Sequence, residues 1–267
     1  MKEDASEQAV HEPEPRWRVE AITLETVSRL RLGWSSRFDR EDVGQLVFEN
    51  PGLSRWIPDT GEYVVGGPWR HRREIASVME LVAPNAAVAL LRAICAAAGE
   101  AGKHLIIASE HHESRQSRFY LEAGYELVEE IVIYELMNGS GSGRERWSLR
   151  FEEVNLGDPK EFQALLQLDH QSFPWLWWNS REEFLNYAES FGVNIYLGRD
   201  RAGRPVSYIG VTRFRNWGHL DRIAVDPSLQ GQGYGLESLD WAVQSLTRSG
   251  ARRIGLSTQA RNLRRRK

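Results

Sequence analysis

The chain has 267 residues, 41% of them hydrophobic, and a formal net charge of -3, enough for one large domain or two ordinary ones with filled cores. That balance gives no electrostatic footprint for nucleic acid, and the one basic stretch, Arg261-Asn262-Leu263-Arg264-Arg265-Arg266-Lys267, reads as a solvated end. The single cysteine, Cys95, excludes an intrachain disulfide framework and any multi-cysteine metal site, and no run reaches the ~18 apolar residues of a membrane span, so a reducing, cytoplasmic location without a membrane partner is expected.

Residues 1–15 are acidic, carry no apolar signal core and are expected to be disordered. Trp17-Arg18-Val19-Glu20-Ala21-Ile22 reads as an edge strand that opens a first domain, 16–137. Leu81-Val82-Ala83-Pro84 leads into a helical pattern that ends near Gly102, and His104-Leu105-Ile106-Ile107-Ala108-Ser109 follows as a strand. His111-His112 has no companion at a metal-ligand spacing and reads as loop histidines, so no metal is expected.

The tract Asn138-Gly139-Ser140-Gly141-Ser142-Gly143 is a flexible linker, 138–146, that leaves 147–267 as a second domain. Similar elements recur there in the same order. Trp147-Ser148-Leu149-Arg150-Phe151-Glu152 answers the opening strand. Ala224-Val225-Asp226-Pro227 answers Leu81 to Pro84, and Arg253-Ile254-Gly255-Leu256-Ser257-Thr258 answers the strand after Gly102. From Pro84 to Gly102 is 18 positions and from Pro227 to Gly250 is 23, so the first copy is shorter by five where the second is rich in glycine.

Residues 206–212 alternate as a β-rich run, and a second run, Leu220 to Val225, follows Asn216-Trp217-Gly218, which predicts a hairpin. Next come Gln230-Gly231-Gln232-Gly233-Tyr234-Gly235 and a helix whose apolar positions are Leu236, Leu239, Val243 and Leu246. Glycines at 231, 233 and 235 let successive backbone N–H groups turn into one concavity, and the helix start adds the positive end of its dipole, a combination suited to a pyrophosphate. A plain flexible turn is the competing reading. The Gly-Lys-Ser/Thr of one familiar phosphate loop is absent, and the spacing is G-x-G-x-G rather than the G-x-G-x-x-G of the dinucleotide fold.

The pattern Q-x-x-G-x-G, formed by Gln230, Gly233 and Gly235, within the segment Leu220 to Gly235, resembles the signature of the GNAT N-acetyltransferases. Ser117-Arg118-Phe119-Tyr120-Leu121-Glu122-Ala123-Gly124-Tyr125 resembles the late helix and turn of the same family, so the whole chain resembles a tandem GNAT protein of the mycothiol synthase type. The implied fold class is α/β, α+β mixed: two GNAT-like domains, each a mixed, mostly antiparallel sheet flanked by helices. The first would be a degenerate copy without the cofactor loop. The resemblance implies acetyl-CoA in a gap where the strand before the loop splays from its neighbour. Pantetheine would then pair with Ile223, Ala224 and Val225, the phosphates with Gln230, Gly231, Gln232, Gly233, Tyr234 and Gly235, and the CoA arm with Asn262.

Amine acetylation needs a neutral nucleophile and a stabilised oxyanion. A backbone N–H near Val225 is the donor that the resemblance offers. Asp221 is the best-placed carboxylate to accept the amine proton, with a salt bridge to Arg222 or Arg215 as the competing role; Asp226 enters the turn. The aromatic run 173–178 offers Trp175, Trp177 and Trp178 as acceptor-side surfaces, or as core.

The family places a tyrosine-bearing helix and two closing strands after its fifth strand, and here only a few residues follow Gln259. The second copy is thus expected to lack its last helix and strands, to turn over little, and to expose a sheet edge open to self-association. Either the chain is a truncated form or another segment supplies what is missing. The expected function is transfer of acetyl from acetyl-CoA to a small-molecule amine. A peptide amino terminus as acceptor, and a catalytically silent acyl-CoA-binding or interaction module, are the alternatives.

Overall fold

The computed structural model describes residues 17–33, 36–109, 117–138 and 147–260. It divides into two compact units, one ending at Glu126 and the other beginning at Leu127. The strand Ile131–Met137, placed by sequence at the end of the first domain, thus belongs to the second unit; of the linker 138–146, residues 139–146 lie outside the described residues.

In the first unit the strands β1 (Glu20–Ala21), β2 (Arg55–Trp56), β3 (Tyr63–Trp69), β4 (Arg72–Val82) and β5 (Leu105–Ala108) form a sheet in that order, antiparallel except for the parallel β4 and β5. Period-two alternation sends Tyr63 and Val65 toward α1 (Arg40–Glu49), where Val43 and Val47 pack. Val64 points the other way, toward Leu90, Leu91 and Ile94 of α2 (Ala87–Glu100) and Tyr120 of α3 (Ser117–Glu122). Tyr120 is therefore core in this unit.

The turn into α2 already holds an anion of its own. Glu62, 1% exposed, accepts from the backbone N–H of Asn85 at 3.2 Å and of Ala86 at 2.9 Å, and from the Asn85 side chain at 2.9 Å. A carboxylate thus takes up donors at the helix start, beside a depression of about 580 Å³ lined by Trp17, Pro84, Val88 and Phe119.

Among the described residues the second unit has six strands in the order β6-β11-β10-β9-β8-β7, where β6 is Ile131–Met137, β7 Arg150–Glu153, β8 Val193–Arg199, β9 Pro205–Phe214, β10 Trp217–Val225 and β11 Arg253–Gln259. Between β7 and β8 come α4 (Pro159–Ser172) and α5 (Arg181–Glu189), and between β10 and β11 comes α6 (Tyr234–Arg248). Asp158 and Ser180 cap α4 and α5 with their side chains. Phe162, Leu165, Phe184 and Tyr208 fill one face of the sheet, and Ile209, Val211, Ala242 and Leu246 the other. The helix predicted from Tyr234 is present, and of its apolar positions Leu246 is buried whereas Leu236 is 72% exposed.

The edge expected to be open on β11 is not open. β6 pairs antiparallel with it along its whole length, from Arg253↔Met137 to Gln259↔Ile131, and Asn138 N–H to Arg252 C=O and Ala260 N–H to Glu130 C=O extend the ladder at both ends. The terminal strand of this sheet is therefore β6. A seven-residue ladder satisfies a row of backbone groups that β11 would otherwise leave to solvent, which overrides the order of the elements along the chain. A fragment starting at Leu127 should unfold cooperatively in urea, whereas one starting at Trp147, without β6, should lose cooperativity or aggregate. Equal midpoints would show that the ladder contributes nothing.

Candidate active site

The parallel register of β10 and β11 runs from Trp217↔Arg253 to Leu220↔Leu256 and stops, although both strands continue. They part there, as the resemblance implies. Asp226 N–H donates to Val206 C=O at 2.9 Å, so alternation turns the N–H groups of Val225 and Ile223 away from β9, toward the gap. The Val225 carbonyl accepts from Ser172 Oγ at 3.1 Å and from Gln230 Nε2 at 3.3 Å, which ties the end of α4 and the loop to the strand.

The loop itself has the geometry its composition requires. Gly231 and Gly233 take φ of 84° and 91°, and a Cβ built at either meets nothing within 4 Å, so both border open space. Gly233 is the N-cap of α6 and makes no side-chain cap bond, which directs the helix start at that space. Asp226 caps the turn before it, its Oδ1 accepting from Ser228 N–H at 2.9 Å and from Ser228 Oγ at 2.7 Å. Asn262 lies outside the described residues.

A bulge between Leu220 and Arg222 then decides which side chains meet. Leu220 packs with α6 and Ala224 with α4 and α5; the extra residue lets Asp221 and Arg222, consecutive in sequence, face the same side of the sheet. Arg222 donates to the buried Asp169 at 2.7 Å, to Tyr208 OH at 2.8 Å and to the Trp177 carbonyl at 2.5 Å, and its guanidinium lies 3.9 Å from the Phe173 ring centroid. Burial alone would lower its pKa, but Tyr208 and Asp169 hold it above the ordinary value. Tyr208, fully buried, is pushed up by desolvation.

These contacts sort the three tryptophans. Trp177 is pinned through its carbonyl. Trp178 stacks on His170 at 4.6 Å and donates to the Phe173 carbonyl at 2.8 Å, so it is part of the scaffold. Trp175 is 39% exposed.

Asp221 does not pair with Arg222. Its Oδ2 accepts from Tyr187 OH at 2.5 Å and Thr212 Oγ1 at 2.6 Å, and its Oδ1 lies 2.7 Å from His219 Nδ1. Burial first, and then the Asp221 charge, raise the Tyr187 pKa far above that of an ordinary phenol, so Tyr187 remains a donor. The ring of His219 reaches across to β11, with Nε2 3.2 Å from Ser257 Oγ, and Trp217 stacks beside it at 5.5 Å. Two glycines make the room: a Cβ at Gly210 would stand 2.7 Å from Tyr187 OH, and one at Gly255 2.8 Å from His219 Cδ2. Sequence reading missed His219, Tyr187, Thr212 and Ser257. The one local signal was a histidine two residues before Asp221 on the same strand.

Residues 160–267 match the model of the Acetyltransferase (GNAT) family. That match spans most of the second unit. No curated protein matches the chain in sequence. Among solved structures, a GCN5-related N-acetyltransferase from Sphaerobacter thermophilus overlays with a TM-score of 0.59 at 16% identity, covering 94% of this chain and 89% of that one. A GCN5-related N-acetyltransferase from Anabaena variabilis gives 0.62 at 18% identity over 93% and 67%. A tandem GNAT protein from the clavulanic acid biosynthesis pathway gives 0.57 at 12% over 93% and 91%. At these identities the likeness is one of fold.

The buried Asp169–Arg222 pair carries the floor of the site. Asp169→Ala would leave a buried guanidinium uncompensated, so a loss of about 3–5 kcal/mol in urea unfolding is expected. A change within about 0.5 kcal/mol, the size of an ordinary surface substitution, would show the pair to be dispensable.

Proposed function

We propose that the second unit is an N-acetyltransferase that takes acetyl from acetyl-CoA to a small amine, with His219 as general base and Asp221 as its positioning residue. GNAT-family members are acyltransferases that use acetyl-CoA. The observation that carries the reading is the gap itself: a glycine loop at one end and, where β10 and β11 part, an imidazole held by a carboxylate. The loop residues fit the donor, since Gly231 and Gly233 border open space at the start of a fifteen-residue helix. When bound, acetyl-CoA would supply the activated acyl group.

Asp221 is a poor direct base, because three donors already occupy its oxygens. What it does is accept from His219 Nδ1–H, which fixes the tautomer and leaves Nε2 with its lone pair directed toward β11. His219 would take the amine proton through Nε2 and, as imidazolium, return it to the departing sulfur, so that a separate tyrosine is not needed. Trp175, 39% exposed, is the tryptophan of this segment best placed to meet an approaching amine. The first unit would bind no CoA, because Glu62 occupies the donors at its helix start.

Calorimetry should give one equivalent of CoA per chain, and Gly233→Trp, which forces a side chain into a positive φ and into the concavity, should weaken binding at least tenfold. Two equivalents, or unchanged affinity in the variant, would place the phosphates elsewhere. On a panel of amines followed by free thiol release, His219→Ala should lose ~10²–10⁴-fold in kcat while CoA affinity is kept. Binding without turnover on any amine would favour a silent acyl-CoA-binding module.

A further inference from the structure

We propose that Ser257, His219 and Asp221 form a nucleophilic relay, so that the second unit can take an acyl group onto Ser257 as an ester before passing it to an amine or to water. This rests on the reading above only for the identity of the natural donor.

The three side chains have the mutual geometry that activation of a hydroxyl requires. An ionised carboxylate only accepts, so the 2.7 Å contact makes His219 Nδ1 the N–H and, in the neutral ring, leaves Nε2 as acceptor. The partner of Nε2 is the Ser257 hydroxyl at 3.2 Å, within reach for proton transfer. Tyr187 and Thr212 hold the far oxygen of Asp221, and Gly255 beneath the ring lets it lie flat against β11. Orientation is thus fixed at every link, as in hydrolases that join the same three residue types on unrelated folds.

The position is as informative as the contacts. Ser257 is the first residue of β11 past the last β10 partner, Leu256, and Asp221 is the first of β10 past Leu220, so the relay spans the floor of the gap. Ser257 is only half-buried. The bulge of β4 in the first unit holds Met79, with Ser77 two residues before it, so no base stands at the matching place there. Among the described residues, a hydroxyl, an imidazole and a carboxylate are aligned at this place in the unit that has the glycine loop and not at the matching place in the other, so they form more than a strand-to-strand tie.

The chemistry balances. Ser257 Oγ attacks the carbonyl carbon of an acyl thioester or activated ester, and its proton passes to His219 Nε2. The carbon–sulfur or carbon–oxygen bond of the leaving group breaks, and His219 gives that proton to the departing atom. An amine or water then attacks the Ser257 ester, His219 takes its proton, and Ser257 leaves as the regenerated hydroxyl. The net reaction is acyl transfer or hydrolysis, with no change in oxidation state.

The full chain, mixed with p-nitrophenyl acetate and quenched in acid, should show a burst of about one equivalent of p-nitrophenolate and gain the mass of one acetyl group on the peptide that bears Ser257. Ser257→Ala should lose both, and Ser257→Cys should recover the adduct as a thioester. An unchanged burst in Ser257→Ala, or a label confined to other residues, would overturn the relay. Acetyl-CoA as donor, with CoA binding followed in parallel, separates the two readings. Retained binding with no label on Ser257 from either donor removes the relay and leaves the transferase standing. A label from p-nitrophenyl acetate without CoA binding upholds the relay and removes CoA as the donor.

Discussion

A single extra residue in β10 organises the second unit. Without the bulge at Asp221, period-two alternation would send Asp221 and Arg222 to opposite faces of the sheet. With it, both face α4 and α5, and each finds a separate set of partners. Arg222 turns to Asp169, Tyr208 and the Trp177 carbonyl, which fixes the aromatic segment over the strand. Asp221 collects Tyr187, Thr212 and His219 instead. Had the two consecutive charges simply paired, the carboxylate would have been unavailable to the imidazole and the aromatic segment would have lost its anchor.

The same point in the chain marks where β10 and β11 separate, so the polar cluster stands at the base of a gap rather than inside a continuous sheet. A gap between parallel strands is costly unless other elements satisfy the backbone. Here β6 closes the far side of β11, while Ser172 and Gln230 bond to the carbonyl at the end of β10. The separation is thus held by contacts around it, and the first unit shows a different use of a similar strand-to-helix junction. Glu62 bonds internally to the turn before α2, where the second unit has glycines that face open space.

What could be read from the sequence was what is local. The hairpin of β9 and β10, the glycine loop, the start of α6 near Tyr234 and the strand after Gly250 all follow from periodicity and turn chemistry over a few residues. Apolar spacing does not say how wide the buried stripe of a helix is, and Leu236, at one of the apolar positions of α6, is exposed. The pairing of β6 with β11 was out of reach, since Glu135 and Arg253 meet across 118 positions and nothing in either strand names the other. The possibility that another segment supplies a missing strand was open from the sequence; which segment does so is a tertiary fact.

The site divides in the same way. Asp221 could be picked out because a carboxylate on the strand before a glycine loop is conspicuous, but its task depends on residues that arrive from α5, β9 and β11. An isolated carboxylate there would be the natural proton acceptor. Surrounded by two hydroxyl donors and the His219 imidazole, it is better suited to orient another base, and in the proposed mechanism the reactive lone pair is that of His219 Nε2. His219 Nε2 lies 3.2 Å from Ser257 Oγ, on the strand that has just parted from β10, so the imidazole and the hydroxyl that the proposed relay joins are set together by the geometry that opens the gap.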